Sequence, residues 1–254
     1  MLNVSLGLIK FIAAAAIFVM TVIAGAIPFK QRIKNCQGLD FPSGEALACG
    51  VFLGAGLIHM LGDASSSFTD AGYHYPYAFL LAGSCFLLLL LLEHISSELA
   101  RHKSGSSPAL ALLVVVMLSI HALLAGTALG LSFNLTELLV ISLAILAHKW
   151  AESFALSVQI NKSTLTPKQG IRVFAIFSLM TPLGIAVGGS IVHFTNAHSL
   201  VQPIFSSLAA GTFLYIGTLH GLAKSILIKD CCDLKQFSLV VLGFGLMAVV
   251  AIWT

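Results

Sequence analysis

Apolar residues fill long, unbroken stretches of this 254-residue chain, and polar residues gather in short segments between them. A stretch of roughly 17–25 apolar residues is long enough for an α-helix to cross a bilayer. Lipid-facing backbone must satisfy its own hydrogen bonds, which favours helices for such stretches. The pattern predicts eight spans, at Val4–Ile27, Ala46–Leu61, Tyr75–Leu92, Ala109–Leu131, Leu138–Gln159, Val173–His193, Ile204–Leu222 and Phe237–Trp253.

This alternation predicts an all-α, polytopic membrane protein, a bundle of eight transmembrane helices that forms a single domain over residues 1–254. The composition supports that class, because only 9% of the residues are charged, against about 25% in ordinary soluble domains. We therefore expect a multi-pass protein that has the lipid bilayer as a partner. The plasma membrane is the location we favour, with an intracellular membrane as the alternative.

The positive charges predict the orientation of the bundle. Eleven of the 13 lysine and arginine residues lie in or beside the odd-numbered connections, and the other two, Lys10 and Lys149, lie within spans. Cytoplasmic connections carry an excess of lysine and arginine. The odd-numbered connections are therefore predicted to be cytoplasmic and both termini extracytoplasmic. The net charge of +3 reflects this bias and does not indicate a nucleic-acid partner.

Three ionisable residues lie deep in the predicted fourth and fifth spans. His121 is near the middle of the fourth, and His148 and Glu152 are near the middle of the fifth. The spacing of His148 and Glu152 places both on one helix face. The short connection makes the two helices antiparallel neighbours, so the three side chains can converge at one depth. Ionisable residues inside a membrane are functional by default.

Two imidazoles and one carboxylate are ligands that Zn²⁺ accepts, and three protein ligands leave one coordination position open. This donor set favours Zn²⁺ over Mg²⁺ or Mn²⁺, with Fe²⁺ and Cd²⁺ as alternatives. A proton pathway, or polar contacts that join the two helices, are the other interpretations of the same three residues.

Further candidates surround this group. His59 and Asp63 form a second pair at a four-residue spacing, and they could form either an outer vestibule that attracts metal or an interfacial polar cap. His220, in the seventh span, could face a metal or proton pathway or only a neighbouring helix. Glycines at four-residue spacing predict close helix contacts: Gly50 and Gly54, Gly126 and Gly130, and Gly184 and Gly188.

Several segments together resemble the ZIP (Zrt/Irt-like) family of divalent-metal transporters, in particular the animal and protist branch with an "HK" motif in the fifth span. The resemblance covers nearly the whole chain. Its motifs, from the second span to the seventh, are GVFLGAGLIHMLGDA, LLLLLLEHIS, IHALLAGTALGL, AHKWAESFALSVQ, IFSLMTPLGIAVG and AAGTFLYIGTLHGL.

The resemblance implies a carrier that moves Zn²⁺ into the cytosol by alternating exposure of a site between the fourth and fifth helices. His121, His148 and Glu152 match the ligand positions of the family. The implied protein is not an enzyme, and Zn²⁺ is its transported substrate, with no separate cofactor. A homodimer is an open alternative for the assembly.

The sequence departs from the family pattern at several positions. Ala125 stands where the fourth span usually has an acid, Phe52 where some relatives place a thioether, and His220 where a glutamate is usual. Lys149 stands where two-metal relatives have an acid, which implies a mononuclear site and places this lysine in the pathway. The connection between the third and fourth spans, RHKSGSSPA, is short. Two rival functions stay open: a membrane-embedded zinc hydrolase that uses a metal-activated water, and a transport-inactive, metal-sensing relative, which the absence of an acid at Ala125 suggests.

Overall fold

The computed structural model describes residues 6–34, 41–101, 109–192, 198–218 and 234–253. Regular structure over these ranges is helical throughout, and one helix corresponds to each predicted span. The helices are α1 Leu6–Lys34, α2 Pro42–Asp70, α3 Tyr77–Arg101, α4 Ala109–Leu131, α5 Leu135–Lys162, α6 Pro167–Val192, α7 His198–Thr218 and α8 Leu234–Val250.

The predicted all-α, polytopic membrane protein is confirmed. Helices α1 to α7 are each long and apolar enough to cross a membrane, whereas α8 is apolar but only 17 residues long. At about 1.5 Å per residue, α8 is somewhat shorter than the roughly 30 Å hydrocarbon core. Helices α2, α4, α5 and α7 bury the largest share of their residues and form the centre of the bundle. The orientation of the termini stays a prediction.

The second helix is much longer than its predicted span of Ala46–Leu61. It begins at Pro42, contains a π-helical turn at Ala55–Met60 and ends at Asp70. The predicted end was wrong because the polar segment after Leu61 remains helical. There, side-chain hydroxyls bond to carbonyl oxygens one turn earlier, as Ser67 Oγ does at 2.8 Å from the Asp63 carbonyl. His59 therefore lies inside a continuous helix and not at its end.

Capping residues explain why α5 and α6 begin before their predicted apolar spans. Asn134 caps α5, because its side chain accepts a hydrogen bond from the Glu137 backbone N–H at 2.8 Å. At α6, Thr166 precedes Pro167, and the Gln169 side chain accepts a hydrogen bond from the Thr166 backbone N–H at 3.0 Å. These contacts satisfy backbone groups at the helix start, and the search for apolar stretches alone missed them.

Helices α4 and α6 approach each other backbone to backbone through glycines. A Cβ atom on Gly126 would overlap the Thr181 carbonyl group, and one on Gly188 would overlap the Thr127 carbonyl. Small residues allow this close approach, which in lipid supplies van der Waals contact between helices. The predicted close contacts at Gly126, Gly130, Gly184 and Gly188 are confirmed.

Helices α2 and α8 meet in the same way. A Cβ atom on Gly50 would overlap the Val240 carbonyl, and one on Gly54 would lie 2.6 Å from the Met247 Cβ atom. The predicted contacts at this pair are also confirmed. Helix α2 is thereby packed against α8 on one side while it contacts α5 and α7 on the other. This places α2 beside the central helices that carry the candidate site.

Polar side chains join the central helices near their predicted cytoplasmic ends. Lys162 Nζ, on α5, lies 2.6 Å from Glu45 Oε1, on α2, and the Glu45 side chain is buried. The Tyr215 hydroxyl, on α7, donates a hydrogen bond to the Glu93 carboxylate, on α3. These contacts tie helices that are far apart in the sequence.

The contact between α4 and α6 predicts different effects for two adjacent glycines. Gly188→Ala should lower the melting temperature of the purified protein by about 2–10 °C, because the added methyl group overlaps α4 backbone. Gly189→Ala is the matched control, since a Cβ atom there has no neighbour within 4 Å. It should be neutral or slightly stabilising, because alanine favours the helix. Equal losses for both variants would contradict the proposed packing role.

Candidate metal site

The side chains of His121 on α4 and of His148 and Glu152 on α5 come together in the centre of the bundle. One ligand atom from each lies within 4.8 Å of the other two. Each residue is at most 1% exposed. A tetrahedral Zn²⁺ with ligand bonds of about 2.0–2.2 Å separates its ligand atoms by about 3.3–3.5 Å. Small side-chain rotations therefore bring the three groups onto one ion. Their role as ligands stays a prediction.

Each of the three residues has a buried ligand atom that forms no hydrogen bond among the described residues. These atoms are His121 Nε2, Glu152 Oε1 and both ring nitrogens of His148. Buried polar atoms nearly always have a partner, so each exception needs an explanation. Three such atoms at one place can all be satisfied by a single cation.

The two carboxylate oxygens of Glu152 have different contacts. Lys149 Nζ lies 2.9 Å from Glu152 Oε2, and both side chains are 1% exposed. The ammonium group also lies 4.6 Å from the centre of the Phe177 ring, a favourable cation–π distance. Lys149 thus contacts the carboxylate that the sequence placed beside it, while Oε1 forms no hydrogen bond within the described ranges.

Two phenylalanines form an apolar wall beside the histidines. The Phe213 ring stacks on His121, with centroids 3.8 Å apart, and meets the His148 ring edge-on at 5.0 Å. Phe52 lies 5.0 Å from Phe213. The sequence analysis singled out Phe52 and missed Phe213. Such rings exclude water, and electrostatic interactions are stronger in the resulting low dielectric.

His121 has polar partners on α7 that the sequence analysis also missed. Its Nδ1 atom lies 2.9 Å from Thr212 Oγ1 and 3.3 Å from the Ala209 carbonyl oxygen. Thr212 and Phe213 both belong to the quoted segment AAGTFLYIGTLHGL. A threonine in an apolar span was the available signal, because a buried hydroxyl needs a partner.

His59 and Asp63 form the expected pair, but they do not join the group of three. His59 Nδ1 lies 2.9 Å from Asp63 Oδ2. Asp63 has 48% of its side chain exposed, whereas His59 is buried. The π-helical turn at Ala55–Met60 contains His59, and such turns occur frequently at functional sites.

Two other residues singled out in the sequence, His220 and Ala125, do not contribute to this group among the described residues. His220 lies outside the described residues. Ala125, where the family has an acid, packs in an apolar cluster with residues that include Ile17 and Leu129. Among the described residues, the convergent group of metal-binding side chains therefore has three members.

The described residues form a polytopic membrane protein whose buried centre holds two imidazoles and a carboxylate, a set of side chains that could hold a metal ion. The chain belongs to the ZIP zinc transporter family, because the model of that family matches residues 8–110 and 101–251. The two matched segments meet at the short connection between α3 and α4.

Individual relatives are similar over most of their length. Zinc transporter ZIP2 of Mus musculus is 26% identical, with 96% of this chain and 98% of that protein aligned. Zinc transporter ZIP1 of Danio rerio is 27% identical, over 94% and 96% respectively. Zinc transporter 11 of Arabidopsis thaliana is 28% identical, over 96% and 85%. The resemblance inferred from the sequence motifs is thereby confirmed.

Proposed function

We propose that this protein carries Zn²⁺ across its membrane toward the cytosol and that His121, His148 and Glu152 bind the ion during passage. The observation that carries the proposal is the convergence of three buried residues, each of which has a ligand atom without a hydrogen-bond partner among the described residues. Membership of the ZIP family supports it, as do the names of the relatives, which are zinc transporters. The direction of transport, toward the cytosol, is taken from the same family resemblance.

The donor set is the reason for choosing zinc. Imidazole nitrogen suits Zn²⁺ and other late transition metals, whereas Mg²⁺ and Ca²⁺ prefer oxygen ligands throughout. Two of the three proposed ligand residues are histidines. Fe²⁺ and Cd²⁺ remain the competitors to measure against zinc, because both accept nitrogen and carboxylate ligands.

Enclosure of the site supports alternating exposure over an open pore. The three proposed ligands are buried to at least 99%, and Phe213 and Phe52 are buried beside them. An ion can enter or leave such a site only when helices or side chains move. We infer that the protein opens the site to one side of the membrane at a time.

Lys149 supports a site for a single ion. Its ammonium group already occupies one oxygen of Glu152, and it would repel a second cation at that distance. The same contact argues against the hydrolase alternative. With one oxygen held by Lys149, Glu152 has one oxygen left for a metal. It is therefore not free to act as the general base that the hydrolase alternative would use beside the metal.

Loss of any ligand should abolish most zinc uptake. His121→Ala, His148→Ala and Glu152→Gln should each reduce radiolabelled zinc uptake into proteoliposomes on the order of tenfold or more, because three ligands leave none to spare. His94→Ala is the control, since that exposed histidine bonds to its own helix at Leu90. Uptake by His148→Ala at the wild-type rate would remove His148 from the proposed site.

Removal of the Lys149 charge should affect binding and turnover in opposite directions. Without the ammonium group, the buried Glu152 carboxylate lacks a counter-charge, which costs several kcal/mol until a metal ion supplies one. Lys149→Met should therefore lower the zinc concentration for half-maximal uptake and also lower the maximal rate, because the empty carrier resets more slowly. Lys168→Met, at an exposed lysine, is the control. Weaker zinc binding, or two unchanged parameters, would contradict this role.

We also propose that His59 and Asp63 form an outer vestibule. Negative charge at the mouth raises the local cation concentration, so Asp63→Asn should raise the zinc concentration for half-maximal uptake severalfold and spare the maximal rate. Asp70→Asn removes an equal charge from an exposed position at the end of α2 and should have a smaller effect. Equal effects of the two variants would indicate that only general surface charge matters.

A further inference from the structure

We propose that Thr212 is a positioning residue for metal binding, whose hydroxyl group holds the His121 ring in the orientation that turns Nε2 toward the ion. The inference rests on the proposed function, because it concerns a residue that acts through one of the proposed ligands. Thr212 lies on α7 and His121 on α4. The contact therefore joins two helices through residues that are 91 positions apart in the sequence.

The hydrogen bonds around Thr212 form a directed chain. Its Oγ1 atom donates to the Ala209 carbonyl oxygen at 2.6 Å. With its hydrogen used in this bond, the hydroxyl oxygen can accept from His121 Nδ1, 2.9 Å away. The Ala209 carbonyl oxygen, 3.3 Å from the same nitrogen, can also only accept. Thr212, Ala209 and His121 are all buried, so water does not compete for these bonds.

This chain determines the tautomer of the imidazole. Both atoms that face Nδ1 are acceptors, so the proton belongs on Nδ1, and Nε2 keeps its lone pair. Nε2 is the atom of His121 that is buried without a hydrogen-bond partner within the described ranges. A histidine that binds a metal commonly donates its other N–H to an oxygen that fixes the ring. Thr212 and the Ala209 carbonyl supply such oxygens.

Two consecutive residues of α7, Thr212 and Phe213, hold the His121 ring on two sides. Thr212 bonds to its edge, while Phe213 stacks on its face with an interplanar angle of 22°. Across the described residues, His148 receives the Phe213 edge but no comparable side-chain hydroxyl. His121 is therefore the ligand that the structure fixes before metal arrives, and fixing a ligand in advance reduces the entropy lost on binding.

A purely structural role for Thr212 predicts different behaviour. If the side chain only fills space, Thr212→Val keeps its shape and should bind zinc normally, and Thr212→Ser should be the worse variant. If the hydroxyl positions His121, Thr212→Val should weaken zinc binding about tenfold to hundredfold. Thr212→Ser, which retains the hydroxyl, should then restore affinity close to that of the wild type.

The test is titration of Zn²⁺ into the purified full-length protein in lipid nanodiscs, followed by calorimetry. Thr21→Val is the matched control, because that buried hydroxyl also bonds to a carbonyl of its own helix, at Ile17, but lies on α1. It should leave zinc affinity unchanged. Thr212→Ala also removes the hydroxyl and adds no bulk, so it should weaken binding as Thr212→Val does. It provides the same test if the valine variant does not fold. Metal-free melting temperatures check the fold of each variant.

His121→Ala separates failure of this inference from failure of the proposed function. Zinc binding that is lost in His121→Ala but normal in Thr212→Val and Thr212→Ala would overturn the positioning role and leave the metal site standing. Equal weakening in Thr212→Ser and Thr212→Val would also overturn it, because the hydroxyl would then not matter. Wild-type binding by His121→Ala would overturn both proposals.

Discussion

An ionised carboxylate that is buried in a helix bundle, away from water, is unstable unless a cation lies beside it, and the centre of this protein is arranged around that constraint. Glu152 meets it on one side with Lys149, whose ammonium group lies 2.9 Å away. Its other oxygen has no hydrogen-bond partner in the described chain, and ligand atoms of His121 and His148 lie within 4.8 Å of a Glu152 oxygen. An uncompensated buried charge costs several kcal/mol. The lysine thus supplies the permanent counter-charge, and in the proposed mechanism the transported ion supplies the transient one.

Packing of the helices keeps that centre dry and sets the positions of its side chains. The glycine contacts of α4 with α6, at residues such as Gly126 and Gly188, and of α2 with α8, at Gly50, leave no room for a side chain between the backbones. Phe213 fills the space beside the histidines and Phe52 packs against it. A dense, apolar surround raises the strength of each electrostatic contact, so the scaffold and the chemistry of the site depend on each other.

Sequence periodicity predicted those features that depend on local spacing. Apolar length predicted the helices, and the four-residue spacing predicted that His148 and Glu152 share a face. The extension of α2 to Asp70 was missed because polar residues can stay helical when their hydroxyls bond to the preceding turn. Thr212 and Phe213 were missed for another reason: their importance comes from contacts with α4. No local pattern specifies which α7 residues meet His121, since that depends on how the two helices pack.

The departures from the family pattern have a joint consequence for charge. Ala125 removes a carboxylate from the fourth span and packs among apolar residues, and Lys149 adds a cation next to Glu152. If both histidines are neutral, the charges of Glu152 and Lys149 cancel, and the empty site has no net charge. A bound divalent cation would then give the site a net charge of +2. A structural zinc site usually has four ligands and often several thiolates that offset this charge. Three ligands and a nearby ammonium group instead argue for binding weak enough to be reversed, which a carrier requires for release of its ion on the far side of the membrane.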